Sequence, residues 1–97
     1  MDAIKVLRNE YPGVQAWRRF AEVFLPDWEQ WPEKQLAQSR LVDAEIAAVL
    51  TSYMGTGAYA WFEKPIGALD MRSARDVLNN ETDGLDIIRS LLMRMPC

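Results

Sequence analysis

The sequence predicts an all-α chain, folded as a single compact domain of six or seven short helices. Three observations carry this. Apolar residues recur three and four positions apart along the whole chain. Proline and glycine fall between those periodic stretches. Alternating apolar and polar runs are absent, and the one Asp83-Gly84 pair lies at a predicted helix start rather than in a hairpin. With 97 residues the chain suits one core and is too short for two. Residues 1–97 therefore read as one domain, with an N-terminal helical part over 1–52 and a C-terminal part over 55–97.

The first helix is predicted over residues 2–11. Asp2 can cap it, and Ile4, Leu7 and Tyr11 share a face. Pro12-Gly13 ends it. The second helix runs from about Val14 to Leu25, with Trp17, Phe20, Ala21 and Phe24 as its apolar stripe, and Pro26-Asp27 stops it. Asp27 to Pro32 holds Trp28 and Trp31 between two prolines and reads as a turn, with Asp27 able to cap a single helical turn. These two tryptophans either seal the edge of the core or form a partner-facing aromatic patch.

Pro32 suits the start of a third helix over Glu33 to Ser52. Val42, Ile46, Val49, Leu50 and Tyr53 share its face, and Leu36 does not. Either Leu36 meets another neighbour or the helix breaks near Ser39. Asp43 and Glu45 read as a solvated face. Gly55 is placed to end this helix in a left-handed cap. A two-turn helix follows over Ala58 to Lys64, stopped by Pro65, with Tyr59, Phe62 and an edge of Trp61 facing inward. Ile66 and Leu69 anchor a loop. Ser73 caps a short helix that carries Val77 and Leu78, with Asp76 three positions on as in a capping box. The last helix starts at Thr82 or Asp83, buries Leu85, Ile88, Leu91 and Leu92, and ends at Pro96.

Composition narrows the function classes. Net charge is -3, with 6 Lys/Arg against 8 Asp/Glu in residues 1–50 and 5 against 6 in residues 51–97. Neither half is a basic arm, so whole-surface attraction to nucleic acid is not expected. No histidine is present, which removes the commonest general base and metal ligand. Cys97 is the lone cysteine, so no intramolecular disulfide forms and a reducing, cytoplasmic setting is the simple expectation. MDAIKVLRNE has no apolar run behind a basic head, so no signal peptide is expected, and no apolar stretch is long enough for a membrane span. Cys97 is not fourth from the end, so MRMPC is no prenylation box. Asp83 and Asp86 share a face and read as a negatively charged first helical turn. Gly55-x-Gly57 follows a helix rather than a strand, so it is no phosphate loop. The expectation is a protein with no catalytic residues, no metal and no cofactor.

Two helices with a glycine turn, over residues 44–64, have the outline of a helix-turn-helix, with Ala47 and Ala48 small enough for a close crossing. The second helix offers only Tyr59, Glu63 and Lys64 as polar side chains, and no Arg, Asn or Gln for base edges. A hairpin used for packing is the alternative.

From Ala58 onward the order of residues is distinctive. Trp61-Phe62 ends a helix, Pro65 follows, then Ala68-Leu69, Val77-Leu78, Glu81-Thr82-Asp83-Gly84, Ile87-Ile88 and Leu91-Leu92-Met93-Arg94-Met95. This resembles the toxin-binding domain of the Xre/MbcA/ParS antitoxin family over about 40 residues. That family's pattern runs Trp-Leu, Pro, Ala-Leu-Gly-Gly, Leu-Leu, Thr-Glu-x-Gly and Leu-Leu-x-Arg-Ile. Asp70-Met71 stands where the family has two glycines, and Ala74 where it commonly has proline. Residues 1–50 do not match the family's N-terminal helix-turn-helix domain.

The resemblance implies an antitoxin of a bacterial toxin–antitoxin system. Its partner would be a RES-type, NAD-consuming toxin, blocked by the segment Ile88 to Cys97. A homodimer is compatible with this, and DNA binding stays an alternative. Arg89, Met93, Arg94, Met95 and Cys97 are the expected partner-binding residues. Methionines adapt to a surface, and guanidinium forks suit a pocket built for pyrophosphate. The same methionines serve equally as core filler, and the same arginines as a solvated helix end. The other functional readings are a helix-turn-helix DNA-binding regulator, and a small phage or mobile-element protein that sequesters another host protein through Trp28, Trp31 and the acidic surface.

Overall fold

Proline, glycine and capping side chains cut the chain into eight α-helices and one 3-10 turn among residues 2–95, which are the residues the computed structural model describes. The helices are α1 (Ala3–Glu10), α2 (Val14–Glu22), α3 (Leu25–Trp28), α4 (Lys34–Arg40), α5 (Ala44–Met54), α6 (Gly57–Glu63), α7 (Ala74–Asn80) and α8 (Gly84–Arg94), with the 3-10 turn at Gly67–Leu69. The fold is all-α. An isolated bridge between Ile66 and Arg72 is the one strand-like feature among the described residues. The radius of gyration, 12.6 Å, is close to the ~13 Å of one packed unit of this size. No helix among the described residues is long and apolar enough to cross a membrane.

Two boundaries differ from expectation. The second helix ends at Glu22, and Pro26 sits in the first turn of α3, where its missing N–H costs nothing. Trp28 therefore lies on a short helix rather than in a turn. The long helix expected over 33–52 is two helices. The chain breaks over Leu41–Asp43, where Val42 takes φ 81°, a left-handed conformation that is strained for a β-branched residue. Asp43 restarts the helix by accepting a hydrogen bond from the Ile46 N–H at 2.9 Å. It is a cap, not part of a solvated face.

α5 is the central post. Residues Ile46, Ala47, Ala48, Val49, Leu50 and Thr51 are all buried, so the helix is covered on every side rather than along one stripe. It packs against α2, α3, α4, α6 and α8. Thr51 is tolerated there because its hydroxyl donates to the Ala47 carbonyl at 2.8 Å. Ala37 and Leu41 carry the burial of the preceding segment, and Leu36 stays half exposed.

Trp17 is fully buried between α2, α5 and α8. Its indole N–H donates to Glu45 Oε1 at 3.0 Å, so Glu45 also leaves the solvated face assigned to it. Trp17, Phe20, Phe24 and Tyr53 continue as a chain of tilted and edge-on rings with centroids 5.2–5.9 Å apart.

Candidate protein-binding site

The C-terminal segment is framed by a tight bend between α6 and α7. Ile66 N–H donates to the Arg72 carbonyl at 3.2 Å, and Met71 N–H donates back to Ile66 at 2.9 Å. Closing that bend puts Asp70 at φ 55° and Met71 at φ 64°, both left-handed. This is the conformation glycine adopts without cost, and it falls on the two positions where the resemblance expects glycines. Leu69, fully buried, pins the bend to the core.

Asp70 uses its position. Its carboxylate oxygens accept from the N–H groups of Ala3, at 2.9 Å, and Ile4, at 3.1 Å. It thus caps α1 across the fold, a role expected of Asp2, whose side chain makes no capping bond. These backbone donors hold the Asp70 carboxyl below its ordinary range. The far end of α1 is held by Arg8, which donates to Asp83 and, at 2.9 Å, to Glu81. Arg72 extends the network, bonding Asp76 at 2.7 Å and Glu81 at 2.9 Å. Asp76 and Glu81 are held low first by Arg72, and Asp83 by Arg8. Ser73 caps α7 as expected, accepting from the Asp76 N–H at 3.0 Å, while the Asp76 carboxylate serves Arg72 and Asn80.

Gly84 lets α8 start against α7. A Cβ there would collide with the Val77 carbonyl and lie 2.8 Å from the Leu78 Cα. Its φ is ordinary, so the requirement is space and not backbone freedom.

The expected partner-binding residues on α8 separate into two groups. Arg89 turns inward. Its side chain is 12% exposed, its guanidinium carbon lies 5.7 Å from the centroid of the Trp17 ring, and its closest acid is Asp86 at 3.8 Å. Arg89 supports α8 on α2 and offers a partner little surface. The end of the helix differs. Arg94 is half exposed and meets Glu10 at 3.5 Å, a loose surface pair that costs little to break. Met93 and Met95 are half buried against the core. Cys97 lies outside the described residues.

Trp28 is only 3% exposed, so as a partner-facing aromatic it is corrected to a core residue at the α3–α5 contact. Trp31 is half buried. The helix pair α5–α6 keeps the outline of a helix-turn-helix, but its second helix is engaged inside the protein. Arg40 lies 4.5 Å from the Tyr59 ring centroid, and Glu63 pairs with Arg75 at 3.0 Å. No cluster of metal-ligating side chains occurs among the described residues.

Compared with family models, curated proteins and solved structures, the chain finds no match.

Proposed function

We propose that this chain is an antitoxin-like protein that binds and inhibits a RES-type, NAD-consuming toxin through the C-terminal end of α8. The observation that carries the reading is the left-handed pair Asp70-Met71, on the positions of the family's two glycines. Two unlike side chains there hold a backbone that suits Gly-Gly, which supports the resemblance. The crowded Gly84 at the start of α8 supports it further. The helix so positioned ends in Arg94, Met93 and Met95, a cation beside two adaptable apolar side chains.

The test is co-expression with a RES-type toxin, reading cell growth and NAD content. Among the described residues of 93–97, Met93, Arg94 and Met95 are not fully buried. Removal of residues 93–97 should leave far-UV circular dichroism unchanged and abolish neutralisation. Full protection by the truncated chain overturns the mechanism.

A further inference from the structure

α3, the residues that flank it and α5 line a cleft of about 170 Å³, formed by Phe24, Asp27, Trp28, Trp31, Thr51 and Ser52, with Ala48 between them. None of these residues belongs to α8. Three aromatic rings and one carboxylate meet in this small space. Thr51 is already satisfied within its helix. The neighbouring Glu29 is held by Lys34 at 3.0 Å. Asp27 is exposed and makes no side-chain hydrogen bond or ion pair among the described residues, so its carboxylate is free to take a counter-ion at the cleft.

Size and charge together select the ligand. Pockets for drug-sized molecules or nucleotides run to roughly 300–1,000 Å³. A volume of about 170 Å³ takes one side chain. Aromatic rings attract cations through their quadrupoles, and a carboxylate adds direct attraction. A planar guanidinium can stack on an indole while it bonds a carboxylate, which an ammonium cannot do. We propose that this cleft receives an arginine side chain presented by a partner protein, with Asp27 as counter-ion and the half-buried Phe24 and Trp31, beside the buried Trp28, as its aromatic walls. The proposal stands independently of the toxin reading.

The probe is a five-residue capped glycine peptide with one central arginine, titrated into the full chain while the four indole N–H signals are followed by NMR. The signals of Trp28 and Trp31 should shift with a Kd on the order of 1 mM, as expected for one isolated side chain. Those of Trp17 and Trp61 should stay in place. Asp27→Asn, at an exposed position that keeps its shape, should weaken binding about tenfold, and so should about 0.5 M salt. Absence of shifts, equal shifts from a glutamine peptide, or unchanged affinity in D27N each overturn the site. Tighter binding of the same peptide with lysine in place of arginine overturns the assignment to arginine.

Discussion

The two parts of this small fold are held by different forces. Residues 14–54 depend on shape. α5 is enclosed by its neighbours, and an aromatic chain from Trp17 to Tyr53 fills the space beside it. The segment from Pro65 to Gly84, with α1 laid over it, depends on direction. Asp70 must aim at two N–H groups, Arg8 and Arg72 must reach three carboxylates, and Gly84 must carry no Cβ where the α7 backbone closes in. Apolar packing tolerates exchange of shape for shape, whereas the bend and clamp depend on particular backbone angles and charges. The part with the directional constraints is also the part that presents the end of α8.

The largest break should come from the packed part. Trp17→Ala removes a fully buried ring and leaves Glu45 without its donor. A loss of about 3–5 kcal/mol is expected in urea unfolding. That approaches the whole stability of a domain this size, roughly 5–15 kcal/mol. Gly84→Ala should cost about 1–3 kcal/mol, because α8 must lift away from Val77 and Leu78. A neutral G84A, by thermal melting, would mean that the α7–α8 contact is softer than its geometry.

Acid sharpens the contrast without mutation. The carboxyls of Asp70, Asp76, Glu81 and Asp83 all titrate below their ordinary values of 3.8 for Asp and 4.5 for Glu. A lowered folded-state value means that the stabilisation is complete above the unfolded value and is lost as pH falls through the folded one. Melting temperature should therefore be flat above about pH 5 and fall below about pH 4, and Asp70→Asn should reduce that slope. An unchanged slope would show that the Asp70 cap contributes nothing. The smallest effect belongs to Met71→Gly. Met71 is 68% exposed at φ 64°, so it loses little packing and gains a permitted backbone. Stabilisation of up to about 1 kcal/mol is expected, less the extra freedom of the unfolded chain. Destabilisation would argue against the match with the family's glycines.

Much of the helical plan was legible because its signals are local. Pro12-Gly13, Gly55, Pro65 and Ser73 end or start helices through their own backbone chemistry, and they do so in the structure. The misplacements come from side chains whose partner is distant in sequence. Glu45 looks solvated on a helical wheel, yet its partner Trp17 is on another helix. Asp2 is an ordinary cap candidate, yet Asp70 reaches α1 first, from a bend 66 residues and more away. Arg89 reads as a helix-end cation until Trp17 is seen beneath it. One signal for the central helix was available. AEIAAVL is apolar on nearly every face, which suits a helix covered all round.

By itself the sequence determined that this chain is helical and where most of its helices stop. Those properties depend on neighbours a few positions apart. Only the tertiary structure decided which charges are caps and clamps, that Trp28 is core and Trp31 half buried at the cleft they share, that Asp70 and Met71 carry a glycine-like backbone, and that Arg94 rather than Arg89 faces outward. Burial, left-handed angles and long-range hydrogen bonds arise only when distant segments meet.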